Sequence, residues 1–333
     1  MVRVGINGAG RIGKLVCRIA KTDPNIQVVA INDLVGNEVI AHLLKYDSVH
    51  GILYDEVTAT DDSIIVDGST IMVSHERDPK DIPWDAAKVD VVIEATGFFT
   101  DAEKAKGHLE NSSVKKVIIS APAKNEDITI VIGVNDKEYD KEKHHVISNA
   151  SCTTNALAPI CKIMDDAFGI KLGMMNTIHA VTGDQNLCDG PHKDLRRARA
   201  SMNIIPTSTG AAKAIGLVMP KLQGKIDGFA TRVPVLDGSM VDLTLELGKE
   251  TTKEEINRVI ARQAETSMKG IVEYTEAPIV SSDVIGNAHS CVFDSQMTMV
   301  LGKQSNICKL IFWYDNELGY SARLCELSQK LFQ

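Results

Sequence analysis

Cys152 stands in the run Asn149-Ala150-Ser151-Cys152-Thr153-Thr154-Asn155, flanked only by small and polar residues. The apolar pair Val146–Ile147 precedes this run, and Leu157, Ile160, Cys161, Met164 and Phe168 follow it at helical spacing. A cysteine in such a strand-to-helix turn meets the unpaired amides of the helix start, which stabilise a thiolate and can hold an oxyanion. An ordinary thiol, with a pKa of about 8.5, is only a few per cent ionised at neutral pH. The placement therefore predicts an activated nucleophile. Cys17, Cys161, Cys291, Cys308 and Cys325 lie in apolar patterns instead and read as small hydrophobes. The seven cysteines form no short-spaced pairs, so neither a disulfide framework nor a metal cluster is expected.

A base is needed beside the thiol, and composition leaves it open among nine histidines. His179 is one candidate, since it ends the apolar run Met174–Ile178 and opens a polar, glycine-containing segment. Candidate phosphate ligands are the Arg196, Arg197 and Arg199 cluster, the Thr207–Gly210 run and Arg232. Guanidinium groups bind phosphate oxygens in pairs, and hydroxyls or glycine amides complete the shell.

A second constellation lies at the N-terminus. Gly8-Ala9-Gly10-Arg11-Ile12-Gly13 follows an alternating apolar strand and opens a helix with Ile12, Leu15, Val16 and Ile19 on one face. Asp33 closes the next strand. In this context G-x-G-x-x-G predicts a dinucleotide site: the glycines allow the tight turn and close approach of a pyrophosphate, and the acid binds the adenosine ribose. A 2′-phosphate at ~4 Å from Asp33 would be repelled by roughly 4 kcal/mol at an effective dielectric of ~20. NAD is thus expected over NADP.

The elements that must hold these residues fall into two kinds. In the first half, short apolar runs at Val2–Ile6, Val28–Ile31, Val89–Ile93, Val117–Ile119, Ile128–Val134 and Val146–Ile147 are separated by segments long enough for parallel crossovers. Asp67-Gly68 marks a hairpin between Ile64–Val66 and Ile71–Val73. In the second half the strands are closely spaced, and Val241, Leu243 and Leu245 alternate with polar residues as in an antiparallel strand. Further strands are expected at Phe229–Val235, Met297–Leu301 and Ile307–Tyr314, with helices from Thr252 to Met268 and from Tyr320. Pro159 predicts a bend near Asn155. The fold expected is α/β: a doubly wound parallel-sheet (Rossmann) domain over 1–151 and 316–333, and an α+β catalytic domain over 152–315 with a mostly antiparallel sheet.

At 333 residues, 44% of them hydrophobic, the chain can build two cores. A formal net charge of −8 argues against nucleic acid as the main partner. No apolar run approaches the ~18 residues of a membrane span, and the N-terminus enters a strand directly, so a reducing cytoplasm is expected.

The Ser151–Asn155 run, joined to the Ile6-Asn7-Gly8 start, resembles glyceraldehyde-3-phosphate dehydrogenase. The resemblance covers essentially the whole chain. It runs in order through INGAGRIG (6–13), INDL (31–34), KYDSVHG (45–51), ERDP (76–79), EATGFFT (94–100), SNASCTTN (148–155), HAVTGDQ (179–185), DLRRARA (194–200), PTSTGAAKA (206–214), RVPV (232–235) and WYDNELGYS (313–321). It implies a thiohemiacetal and then a thioester on Cys152, with His179 as base and inorganic phosphate as acyl acceptor. It further implies that Thr182, Asp184 and Arg232 bind the substrate phosphate, and that Ser151, Thr153, Arg196, Thr209 and Gly210 bind inorganic phosphate. Asn7, Gly8, Gly10, Arg11, Ile12, Gly13, Asp33, Arg77, Thr96, Ser120, Asn316 and Tyr320 would serve the cofactor, Asn316 at its carboxamide and Tyr320 stacked near that end. The segment from Ala180 to Asn203 resembles a loop that reaches a neighbouring subunit, which implies a homotetramer. Two departures stand out: Ala156 replaces the family's second cysteine, and Ala9 replaces a common phenylalanine. Two other readings are a hydrolytic relative, erythrose-4-phosphate dehydrogenase, and a non-catalytic binding scaffold. The retained phosphate set and the acidic charge weigh against them respectively.

Overall fold

The computed structural model describes residues 1–333 and divides into two compact units. The first comprises Met1–Ile130, Asp136–Ser151 and Tyr320–Gln333; the second comprises Val131–Asn135 and Cys152–Gly319. The chain thus returns to the first unit after Gly319, and Asn316 lies in the second.

In the first unit a nine-stranded sheet runs in the order Ile128–Thr129, Val146–Ser148, Lys116–Ile119, Val91–Glu94, Val2–Asn7, Ile26–Asn32, Ser69–Ser74, Ser63–Val66 and Val57–Ala59. All neighbours as far as Ser69–Ser74 pair in parallel, and the last two strands are antiparallel additions. Asp67 and Gly68 both take positive φ, the backbone that a two-residue hairpin turn requires. Of the expected strand Ile128–Val134 only the first two residues pair, because the chain crosses to the other unit at Val131. Beside the sheet, fully buried Trp84 packs with Val29, Ile82, Val89, Val92 and Val117. It presses so closely on the first strand that a Cβ at Gly5 would lie 2.8 Å from its ring.

The sheet of the second unit follows the order Ile205–Thr207, Ile226–Arg232, Ile170–His179, Ser239–Thr251, Ser305–Tyr314, Cys291–Asp294 and Val272–Thr275. It is mostly antiparallel; only Ile170–His179 with Ile226–Arg232, and Val272–Thr275 with Cys291–Asp294, run parallel. Val241, Leu243, Leu245 and Leu247 are fully buried, as their alternation predicts. Lys253–Glu265 forms the expected helix, capped by the Thr252 hydroxyl. Met297–Leu301 keeps only Met299–Val300 as strand, and the last helix starts at Leu318.

The helix Cys152–Phe168 is continuous through Pro159, so the proline does not end it. Ala156, Leu157, Ala158 and Ile160 are fully buried around it. Packing on every side thus encloses the turn that holds the proline.

Candidate active site

The first unit carries a cleft of about 510 Å³ lined by Asn7, Gly8, Gly10, Asn32, Asp33, Leu34, Glu76, Arg77, Ala95, Thr96, Phe98 and Phe99. Gly8 takes φ +100°, and a Cβ there would approach the Thr96 amide nitrogen to 2.8 Å. Only glycine suits this point. Gly10 precedes the helix Arg11–Ala20 and faces open space, so the helix start is free to receive a charged group. Asp33 Oδ2 accepts the Ala9 amide at 2.7 Å, which ties the end of the second strand to the glycine turn. The cradle and the acid fit a dinucleotide.

The other cofactor candidates divide. Arg77 and Thr96 line the cleft. Ser120 ends the neighbouring strand, its amide bonded to the Glu94 carbonyl at 3.0 Å. The Arg11 guanidinium is committed to Asp47 through bonds of 2.5 and 3.0 Å, and Ile12 and Gly13 belong to the helix itself. The Thr96 hydroxyl turns inward, donating to Glu94 at 2.5 Å and accepting the Phe98 amide at 3.1 Å. Tyr320 is buried, and its hydroxyl donates to the Ala150 carbonyl at 3.0 Å. Ala150 has φ +55°, a left-handed backbone that costs an alanine about 1–2 kcal/mol. Tyr320 thus braces the strained turn that leads to Ser151, which is half-buried.

In the second unit Cys152 is the first residue of its helix, and its Sγ lies 3.5 Å from His179 Nε2. His179 ends its strand opposite Arg232 in the parallel register, so the sheet itself sets these two side by side. His179 Nδ1 lies 2.7 Å from the Ala180 carbonyl and 2.6 Å from Arg232 Nη1. Tyr314, sequence neighbour of the Asp315-Asn316 pair, bridges the hydroxyls of Thr153 (2.9 Å) and Thr177 (2.8 Å) and meets the His179 ring edge-on. Asn316 Oδ1 accepts from the Ser239 hydroxyl at 2.6 Å, and the same hydroxyl oxygen accepts the Ala180 amide at 3.0 Å.

Burial pushes the Cys152 thiol up, while Arg232 and bonds from Thr153 pull it down. Burial, reinforced by Arg232, holds an isolated charge on His179 far below the usual imidazole range, to about 3. A proton passed from sulfur to nitrogen creates both charges together. At 3.5 Å and an effective dielectric of ~20 they attract by roughly 5 kcal/mol. The site therefore disfavours either charge alone, and their mutual attraction offsets part of that cost.

The Thr182 hydroxyl donates to Asp184, and Asp184 Oδ2 holds Arg197 Nη1 at 2.6 Å. Arg232 is largely buried, and its Nε has no partner, an orphan donor that an oxyanion would satisfy. Thr209 accepts the Ala211 amide at 3.2 Å, and Gly210 precedes the helix Ala211–Val218.

Arg196, expected among the phosphate ligands, points elsewhere. It is exposed, donates to the Pro206 carbonyl at 3.2 Å and lines a surface groove with Leu195 and Phe229. The guanidinium turned toward Asp184 and His179 is that of Arg197, one residue on, which also donates to Thr207 at 3.1 Å.

Family models match in two blocks. Residues 2–102 match the NAD binding domain of glyceraldehyde 3-phosphate dehydrogenase, and residues 151–316 match its C-terminal domain. Among whole-chain relatives, glyceraldehyde-3-phosphate dehydrogenase 1 of Streptomyces avermitilis is 56% identical over 98% of this chain and 97% of its own. The Priestia megaterium and Bacillus subtilis enzymes (the latter glyceraldehyde-3-phosphate dehydrogenase 1) are each 54% identical over the same shares. The chain belongs to the glyceraldehyde-3-phosphate dehydrogenase family. Its fold is the NAD-binding and C-terminal pair of that family, it is an NAD-dependent oxidoreductase, and its cofactor is NAD.

Set against the family's motifs, two residues of this dehydrogenase carry no signal in the sequence. Tyr314 stood inside WYDNELGYS and Glu94 opened EATGFFT, yet neither carries a spacing that announces its partners. Arg197 was visible only as one of three arginines. Ala156 is fully buried, and burial pushes the neighbouring Cys161 thiol strongly up, so Cys152 has no reactive companion on its helix. No helix of the chain is long and apolar enough to cross a membrane.

Proposed function

We infer that the chain oxidises and phosphorylates D-glyceraldehyde 3-phosphate to 1,3-bisphosphoglycerate, with Cys152 as nucleophile and His179 as its base. The observation that carries this reading is the 3.5 Å approach of Sγ to Nε2 at a helix start. His179 takes the thiol proton, and the thiolate adds to the aldehyde carbon. The imidazolium protonates the new alkoxide, then takes the hydroxyl proton back as the carbon is oxidised. NAD, when bound, supplies the acceptor for the hydride. A phosphate oxygen then attacks the thioester carbon, the C–S bond breaks, and the thiolate is restored.

Thr182 and Arg232 bind the C3 phosphate, with Asp184 orienting Thr182 and Arg197. Arg197, Thr209 and Gly210 receive inorganic phosphate, with Ser151 and Thr153 beside the sulfur in sequence. Asn316, whose Oδ1 is taken by Ser239, offers its amide N–H to the carboxamide oxygen. The hydrolytic erythrose-4-phosphate reading lacks any observation in its favour.

The active form is a homotetramer. Supporting this are the exposed Leu172, Met174 and Phe229 on one face of the second unit's sheet, and the exposed Leu187, Leu195 and Met202 in the 180–203 segment. The seven free cysteines accord with a reducing cytoplasm.

The test is NADH formation from glyceraldehyde 3-phosphate and NAD, with and without inorganic phosphate, and with Cys152→Ala as control. Phosphate-dependent turnover lost in the variant is expected. Turnover indifferent to phosphate would overturn phosphorolysis, and residual turnover in the variant would overturn the nucleophile.

A further inference from the structure

A chain of hydrogen bonds runs beneath the dinucleotide cleft, and all of it points one way. Trp84 Nε1–H donates to His108 Nδ1 at 3.0 Å. An indole nitrogen can only donate, so Nδ1 is the acceptor and the His108 proton sits on Nε2. That nitrogen lies 3.1 Å from Glu94 Oε2. From the opposite side Asn7 Nδ2 donates to the same oxygen at 2.6 Å. Asn7 Oδ1 accepts from Asn32 Nδ2 at 2.8 Å, and Asn32 Oδ1 accepts the Glu76 amide (2.8 Å) and the Ser74 hydroxyl (2.9 Å). The other Glu94 oxygen takes the Thr96 amide at 2.9 Å and the Thr96 hydroxyl. Glu94, His108, Asn7 and Asn32 are at most 3% exposed.

The two ends of an asparagine amide are nearly alike in shape, and a neutral imidazole has two tautomers. Such a chain keeps one sense only where its ends are fixed: here the Trp84 N–H and the Glu76 amide can only donate, so the point where the two arms meet must accept. Glu94 Oε2 receives both arms there. Asn7, Asn32, Glu76 and Thr96 line the cleft, whereas Glu94 lies behind them. We propose that Glu94 is a positioning residue for the dinucleotide: as the common acceptor of both arms, it orients Asn7, Asn32 and Thr96 and with them the loops that bound the cleft. The proposal rests on reading that cleft as the NAD site.

Burying a carboxylate with no cation beside it is costly, and here four donors offset the cost. A glutamine at this position keeps the shape and replaces one acceptor oxygen with a donor. Facing Thr96, its NH2 opposes a backbone amide that cannot turn over. Facing Asn7 and His108, it reverses the amide and the tautomer, and then sets Nδ1–H against the Trp84 N–H.

The experiment compares Glu94→Gln, His108→Gln and His108→Leu with the wild-type enzyme. Glu94→Gln is expected to weaken NAD binding and raise KM for NAD by about tenfold or more, leaving kcat at saturating NAD within about twofold. His108→Gln preserves the sense of the chain, its oxygen accepting from Trp84 and its NH2 donating to Glu94. It is expected to bind NAD much like wild type, and His108→Leu far more weakly. In cofactor-free protein, ¹⁵N spectra of labelled histidine should show His108 as the Nε2–H tautomer. An Nδ1–H tautomer, NAD binding unchanged in Glu94→Gln, or a loss of kcat without a change in KM would overturn the proposal. If Glu94→Gln does not fold, equal NAD affinity in the two His108 variants overturns it. Failure of wild-type protein to bind NAD would sink the cleft assignment instead, and the tautomer result would still stand.

Discussion

Arg232 and His179 meet at 2.6 Å across adjacent parallel strands, and the contact bears on the very nitrogen that also faces the Ala180 carbonyl at 2.7 Å. Nδ1 cannot accept from Arg232 and donate to Ala180 at once. With its proton on Nδ1, His179 presents a bare Nε2 to the thiol and is ready as a base; with Arg232 donating, it is not. A phosphate engaging Arg232 would relieve this competition. Arg232→Gln should raise KM for glyceraldehyde 3-phosphate by roughly 10–100-fold, the loss of a charge-assisted bond, while turnover of unphosphorylated glyceraldehyde changes far less. Equal losses on both aldehydes would show that Arg232 acts through His179 alone.

The thiol and imidazole should titrate as a pair. In wild-type enzyme, alkylation of Cys152 by iodoacetamide should persist well below the ordinary thiol pKa, because the imidazolium stabilises the thiolate. In His179→Asn the partner is gone, and burial, the largest effect on the thiol, pushes it up against Arg232 and Thr153. The midpoint of the alkylation profile should then move to higher pH, with the rate at pH 7 falling about tenfold or more. Superimposable profiles would dissolve the pairing.

Asp33 holds the glycine turn through the Ala9 amide and lines the cleft. Asp33→Ala should weaken NAD binding and shift the NADP-to-NAD ratio of kcat/KM toward NADP by more than about tenfold. Half of the roughly 4 kcal/mol repulsion expected at ~4 Å would already exceed that ratio. An unchanged ratio would assign the preference to another group.

Gly8→Ala tests the glycine turn. The added Cβ would meet the Thr96 amide at 2.8 Å on a backbone of φ +100°. A loss of about 1–3 kcal/mol in stability is expected, read as a lowered thermal midpoint, together with weaker NAD binding. Wild-type behaviour in both would mean that the turn adapts.

The apolar sheet face should be an assembly surface. Met174 is 69% exposed, beside Leu172 and Phe229. Met174→Glu should shift the sedimentation coefficient from tetramer toward smaller species. A tetramer of unchanged stability would move the interface elsewhere.

Much of this protein was open to inspection in one dimension. Strand and helix periods, the glycine fingerprint with Asp33 after it, the Asp67-Gly68 turn and the polar setting of Cys152 are all local patterns. Backbone sterics and burial act on neighbouring residues, so such patterns survive into the fold. What tertiary structure alone decided were the pairings between distant residues. His179 was one histidine among nine until strand register set it against Arg232, 53 residues away. Arg196 and Arg197 cannot be told apart by type or position, and only the path of the loop turned the second toward Asp184. Pro159 signals a bend in sequence, but that the helix runs on through it depends on the packing that encloses it. Glu94 drew no reading of its own, since its meaning depends on donors 87 residues before it and 14 after it that converge on one buried oxygen. Hydrogen bonds reach only about 3 Å, so who meets whom depends on register and loop path, which no local spacing encodes.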